Sequence, residues 1–76
     1  MPALRLAAAV AALEGYLERH PQAADSVQGI VPWWLSSAGV ELSEPVVQLA
    51  LEVLEQRGRV MRTTLPGGQV IWRLRR

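Results

Sequence analysis

The 76-residue sequence predicts an α+β domain, mostly α, in which three helices precede a C-terminal β-hairpin. Three observations lead to this prediction. Apolar residues recur at helical spacing in the first and third quarters of the chain, and Pro66-Gly67 separates two segments typical of strands. Half of the residues are hydrophobic, which suits one small core. We therefore expect a single domain over residues 1–76.

The first helix is predicted by apolar residues that step by four, three and four positions: Leu6, Val10, Leu13 and Leu17. Pro21 ends it, because the residue before a proline disfavours the helical conformation. The predicted helix covers about residues 3–20. A signal peptide is the alternative, but the apolar run continues at helical spacing into Glu14–His20. The run is also too short to span a membrane.

The second predicted helix covers about residues 30–38. Pro32 suits its first position, where the missing N–H costs nothing. Before it, the stretch from Val27 to Ile30 is predicted to be extended. Trp33 and Trp34 are neighbours on this helix and point about 100° apart. One should therefore enter the core, while the other lies at the rim of a groove or anchors a protein partner.

The third helix is predicted over about residues 44–57. Ser43 is a natural N-cap, Glu44 lies in the first turn, and Gly58 suits the left-handed residue that ends many helices. Four residues form its core-facing stripe: Val47, Ala50, Leu51 and Leu54.

The hairpin strands are predicted at about residues 59–64 and 69–75. A two-residue turn at Pro66-Gly67 would pair Met61 with Trp72 and Thr63 with Val70, and cross-strand partners share a face. The face toward the helices would then carry Met61, Val70, Trp72 and Leu74. The opposite face would carry Val60, Arg62, Ile71, Arg73 and Arg75.

Charge is divided unequally along the chain. Residues 1–56 contain two arginines and seven acidic residues, a net charge of −5, whereas residues 57–76 contain six arginines and no acid, a net charge of +6. Such asymmetry indicates a polyanionic partner. The alternative is that the arginines of the hairpin pair with the acidic helices.

The third helix and the start of the hairpin contain a spaced pattern of six residues: Ser43, Val47, Leu51, Leu54, Gly58 and Val60. This pattern and the order of the predicted elements resemble the winged helix-turn-helix superfamily. In that superfamily the third helix usually enters the DNA major groove and the hairpin, or wing, contacts phosphates or the minor groove. The resemblance implies two sets of nucleic-acid contacts. The third helix would supply Ser43 and Gln48, and the wing and helix end would supply Arg57, Arg59, Arg62, Arg73, Arg75 and Arg76.

The third helix also carries features that disfavour base reading. Glu44 and Glu52 would approach phosphates with like charge. We therefore expect nucleic-acid binding mainly through the arginine-rich wing, with weak sequence readout. The alternative is protein–protein interaction or homodimerisation through the outer apolar stripe and an exposed tryptophan: Val46, Leu49, Val53 and Trp33 or Trp34.

Catalytic and metal-binding patterns are missing from the sequence. His20 is the only histidine, and there is no cysteine. Neither a catalytic group of residues nor a metal-ligand spacing is apparent. We therefore expect a non-enzymatic protein without cofactor or metal, not bound to a membrane, and cytoplasmic because the lack of cysteine fits a reducing compartment.

Overall fold

The computed structural model describes residues 2–33 and 43–75, with side chains described at 5–30 and 43–75. Over these residues the chain forms an α+β fold of three helices and a three-stranded antiparallel sheet, as the predicted class requires. The elements are α1 (Pro2–Arg19), β1 (Ala24–Asp25), α2 (Val27–Trp33), α3 (Glu44–Gln56), β2 (Val60–Thr64) and β3 (Val70–Leu74). The strand order in the sheet is β1-β3-β2.

The hydrophobic core lies between α1, α3 and one face of the sheet. On α1, Val10, Leu13 and Leu17 are buried and Leu6 packs against the core, so the predicted stripe is confirmed. On α3 all four predicted core residues are buried. The remaining core residues are Ala9, Ile30, Val60 and Trp72.

The two ends of α3 follow the predicted signals. Ser43 holds the N-cap position in an extended conformation, although its side chain makes no capping hydrogen bond. At the other end, Gly58 has a φ of 72°. The Gly58 N–H donates to the Glu55 carbonyl at 3.0 Å and the Arg59 N–H to the Leu54 carbonyl at 2.9 Å. This pair of bonds is the Schellman motif, which turns the chain sharply into β2.

α2 begins at Val27, three residues earlier than predicted, so the extended stretch predicted from Val27 to Ile30 is wrong. Ser26 caps this helix. Its Oγ accepts from the Gly29 N–H at 3.3 Å, and its carbonyl accepts from the Ile30 N–H at 2.9 Å. Pro32 therefore occupies the sixth helical position instead of the first. The predicted helical residues 34–38 lie outside the described residues.

The two-residue strand β1 was not predicted. Ala24 pairs with Arg73 and Asp25 with Trp72, both antiparallel, which makes β3 the central strand. A strand of two residues has no alternation to detect in a sequence, so no pattern in the segment before α2 indicates a strand.

The register of the hairpin differs by one residue from the prediction. The loop has three residues (Pro66, Gly67 and Gly68), because the Leu65 N–H donates to the Gln69 carbonyl at 2.7 Å. The Gly68 N–H donates to the Leu65 carbonyl at 2.8 Å, and Gly68 has a φ of 88°. A type I turn followed by a left-handed glycine is a common hairpin loop of this length. The register becomes Val60 with Leu74, Arg62 with Trp72 and Thr64 with Val70.

This register exchanges the predicted faces of β2. Val60 and Arg62 share the face of Trp72, toward the helices, and Met61 pairs with Arg73 on the opposite face. The prediction that Met61 covers the core and that Val60 and Arg62 lie on the basic face is therefore wrong. Val60 and Trp72 are each 1% exposed, so the slip places a valine in the core and leaves a methionine partly exposed.

Candidate nucleic-acid interface

The outer face of the sheet, which points away from the helices, carries two of the predicted arginines. Arg73 lies between Met61 on β2 and Ala24 on β1. Arg75 follows two residues later, and its N–H donates to the Arg59 carbonyl at 3.0 Å. Because side chains alternate along a strand, Arg73 and Arg75 share this face with Met61, Thr63 and Ile71. Among the described residues, the outer face bears no carboxylate.

Two further arginines border the same open end of the hairpin. Arg57 is the exposed C-cap residue of α3, and Arg59 is the residue before β2. The Arg59 guanidinium is 3.4 Å from the Glu14 carboxylate of α1, and half of the Arg59 side chain remains exposed. The backbones of Arg59 and Arg75 are thus neighbours in the sheet, whereas the Arg57 side chain lines a groove against α1 together with Glu14. Arg76 lies outside the described residues.

Arg62 occupies a different environment. Its Nε donates to Glu55 Oε2 at 2.9 Å and its Nη2 to Glu55 Oε1 at 2.7 Å, which is a bidentate pair with α3. Its Cζ lies 4.6 Å from the ring centroid of Trp72, within cation–π distance. These hydrogen bonds lower the pKa of Glu55 and raise that of Arg62. Arg62 therefore links the hairpin to α3 and is not a free cation of the hairpin.

The placement of the arginines supports in part each of the two interpretations of the charge asymmetry, namely a polyanionic partner and pairing with the acidic helices. Arg59 and Arg62 pair with acidic residues of the helices, as the pairing interpretation requires. Arg57, Arg73 and Arg75 are exposed and make no ion pair with any residue in the described part of the chain. The free basic charge is therefore smaller than the sequence count indicates and lies at the open end of the hairpin.

The outer surface of α3 is acidic, and two of its side chains are hydrogen-bonded to each other. Gln48 is half-buried, and its Nε2 donates to Glu52 Oε2 at 3.0 Å. Ser43 is exposed at the N-cap, next to the exposed Glu44. A groove of about 510 Å³ between α3 and the hairpin is lined by Glu44, Gln48 and Arg62, among others. The described residues that line this groove include no arginine other than the one held by Glu55.

The apolar residues of the alternative partner surface are unevenly exposed. Val46 and Val53 are half-buried and pack against the core, while Leu49 is 52% exposed. Trp33 ends the described part of α2, and its side chain and all of Trp34 lie outside the description. The described stripe on α3 therefore contributes one strongly exposed leucine instead of a continuous apolar face.

His20 is exposed, and its ring lies 4.4 Å from that of Tyr16. The described residues contain no group of three acidic or histidine side chains placed to hold a metal ion. They also contain no helix with the length and apolar character needed to cross a membrane.

Comparisons with known proteins do not identify a family for this chain. No family model, curated protein or solved structure matches this chain.

Proposed function

We propose that this chain is a non-enzymatic winged-helix domain that binds the phosphate backbone of nucleic acids, without a cofactor. The order α1, α2, α3 and hairpin supports the winged-helix part, since it is the order that the sequence resemblance implies. The Schellman turn joins α3 directly to β2, which gives the expected junction between third helix and wing.

The observation that carries the nucleic-acid proposal is the exposed pair Arg73 and Arg75 on a sheet face without carboxylates among the described residues. Arginine suits this role because its planar guanidinium donates two parallel hydrogen bonds to a phosphate. Arg57 and Arg59 precede β2 at the same end of the hairpin, but both side chains lie toward α1, where Arg59 pairs with Glu14. A polyanion lying along the outer face would contact the guanidinium groups of Arg73 and Arg75 and release condensed counterions.

The third helix has a minor role in this proposal. Gln48 already donates to Glu52, and Glu44 lies one turn earlier at the start of the helix. Carboxylates near phosphates lower affinity, so α3 is not the main contact surface. We therefore propose binding that depends little on base sequence, with the arginines outside α3 supplying the affinity.

The test is a titration of fluorescently labelled duplex DNA at several salt concentrations. Wild type is compared with the double variant Arg73→Ala/Arg75→Ala and with the control Arg19→Ala. Arg19 suits the control because its guanidinium lies next to Gly15 on α1 and not on the outer face of the sheet. Affinity should fall with salt, and the double variant should reduce the slope of log K against log[salt] by about two, while the control leaves it nearly unchanged.

Absence of binding at low salt would refute the proposal, and so would an equal effect of Arg19→Ala. The role of α3 is tested separately with Gln48→Ala on two unrelated duplex sequences. We expect the same affinity ratio between the two duplexes for wild type and variant. A change in that ratio would show that Gln48 reads bases.

A further inference from the structure

The free edge of β2 is the second feature of the molecule that points to a partner. Within the described sheet, β3 is central and β2 pairs only with β3, so the other edge of β2 is unpaired. The strand contains no proline, lysine or bulge, three of the devices that prevent an edge from pairing with another chain. Arg62 is its only charge, and its side chain points to the inner face, where it pairs with Glu55.

The hydrogen-bond pattern identifies which backbone groups face outward. Leu65 bonds to Gln69 and Arg59 bonds to Arg75, so odd-numbered residues of this strand direct their backbone groups toward β3. In an antiparallel pair, bonded and non-bonded positions alternate. Arg62 and Thr64 therefore direct their N–H and C=O groups toward the free edge. Val60 does the same, but it is buried at the start of the strand.

We propose that a second copy of this chain pairs with this edge, β2 against β2 and antiparallel, to form one continuous six-stranded sheet. A two-fold axis through Thr63 aligns the outward groups, because Arg62 of each copy then faces Thr64 of the other. A two-fold axis through Arg62 would instead place two guanidinium groups opposite each other, which disfavours that register.

The side chains on the outer face favour the same register. With the axis at Thr63, the two Thr63 side chains are neighbours and Met61 faces Leu65 of the second copy. Leu65 is 39% exposed, one of two large hydrophobic side chains that are strongly exposed in the described residues, and Met61 is half-exposed. The pairing therefore covers apolar surface at both ends and opposes no like charges, as a self-complementary two-fold interface requires.

The dimer would also place the two outer faces side by side. The two β3 strands would lie three strand spacings apart, about 14 Å. Arg73 and Arg75 of both copies would then share one sheet surface. The pairing depends on the edge of β2 alone and does not require nucleic-acid binding.

Cysteine cross-linking tests the register, since the chain contains no cysteine. Thr63→Cys places two thiols in a non-hydrogen-bonded pair at the two-fold axis, where the Cα separation of about 4.5 Å permits a disulfide. Thr64→Cys is the matched control, because its partner in the other copy is Arg62. Under mild oxidation, Thr63→Cys should give covalent dimer at least about tenfold faster than Thr64→Cys, measured on non-reducing gels. Equal rates, or a faster control, would overturn the register.

Proline substitution tests the edge pairing. Thr64→Pro removes an N–H that faces outward, and it leaves the bonds between β2 and β3 intact. Thr64→Ala keeps that N–H and serves as the control. Sedimentation equilibrium should show dimer for wild type and Thr64→Ala, and a dissociation constant raised at least about tenfold for Thr64→Pro. A monomeric wild type up to millimolar concentration would overturn the proposal, as would an unchanged dissociation constant in a folded Thr64→Pro.

Discussion

At the scale of single residues, Arg62 and Arg73 show how position decides the role of one residue type. Both belong to the acid-free segment 57–76, and both were predicted to contact nucleic acid. Arg62 lies on the inner face, where Glu55 and the ring of Trp72 hold it. Arg73 lies on the outer face and is exposed. The difference arises because alternate residues of a strand point to opposite faces.

The pair formed by Arg62 and Glu55 predicts a pH-dependent contribution to stability. The hydrogen bond from Arg62 lowers the pKa of Glu55, so the folded state binds this proton less readily than the unfolded state. The contribution is present above the unfolded pKa, about 4.3, and is lost as the pH falls through the lower folded value. Glu55→Gln should therefore reduce the free energy of unfolding at pH 7, and this reduction should shrink as the pH is lowered below about 4, measured by urea denaturation.

The effect at pH 7 should be small and should weaken with added salt, because both side chains are about one-third or more exposed. Arg62→Gln provides the control through a double-mutant cycle with Glu55→Gln. If the two substitutions were additive at pH 7, the pair would not contribute through their interaction.

At the scale of secondary-structure elements, the hairpin loop determines which residues of β2 enter the core. A two-residue turn at Pro66-Gly67 and a three-residue loop that includes Gly68 are both compatible with the residues Leu65 to Gln69. The three-residue loop shifts every cross-strand pair by one position. That shift buries Val60 and exposes Met61, so one additional loop residue decides the composition of both sheet faces.

The two adjacent glycines of the loop predict opposite effects of alanine. Gly68 has a φ of 88°, which an L side chain adopts at a cost of about 1–2 kcal/mol, so Gly68→Ala should destabilise the domain by that amount. Gly67 does not have a positive φ, and a Cβ there would contact nothing within 4 Å. Gly67→Ala should therefore be neutral or stabilise by up to about 1 kcal/mol, because it restricts the unfolded chain.

Urea denaturation of the two variants under identical conditions measures the difference. The three-residue loop requires that Gly68→Ala be the less stable variant. The reverse order would indicate that Gly67 holds the left-handed position, as in the two-residue turn with a left-handed residue at its third position.

At the scale of the whole molecule, one core connects α1, α3 and the hairpin. Leu13 and Leu17 come from α1, Leu54 from α3, and Val60 and Trp72 from the hairpin. All are nearly inaccessible to solvent. A chain of this size has a total stability of roughly 4–11 kcal/mol, so removing one large core side chain should affect the fold as a whole.

Two leucines on α3 make this prediction specific. Leu54 is 0% exposed and Leu49 is 52% exposed. Leu54→Ala should destabilise the domain by about 2–5 kcal/mol, whereas Leu49→Ala should change stability by less than about 0.5 kcal/mol. Urea denaturation followed by far-UV circular dichroism measures both. A loss at Leu49 comparable with that at Leu54 would mean that Leu49 is covered, for instance by a second copy of the chain.

The fold also changes how the charge asymmetry of the sequence is interpreted. The acidic helices and the basic hairpin are separate in the sequence but adjacent in the fold. Of the five C-terminal arginines that the structure describes, two form ion pairs with helical glutamates. What remains is a smaller basic surface at the open end of the hairpin, away from the acidic start of α3. For this reason the proposed nucleic-acid contact lies on the sheet and not on the third helix.

The sequence alone determined the features that depend on neighbours within about four residues. These include the buried stripes of α1 and α3, the N-cap position of Ser43, the left-handed Gly58 and the acidic outer surface of α3. Each arises from local hydrogen bonding or from the helical repeat, both of which can be read along the chain. The number of basic residues in the hairpin segment can be counted directly from the sequence.

Only the tertiary structure decided the hairpin register, the pairing of β1 with β3, the start of α2 and the different roles of Arg62 and Arg73. These features depend on contacts between segments distant in the sequence. The register, for example, follows from a choice between two loops of similar local preference, and burial of Val60 in place of Met61 favours one of them. A two-residue strand such as β1 exists only because β3 supplies its hydrogen bonds.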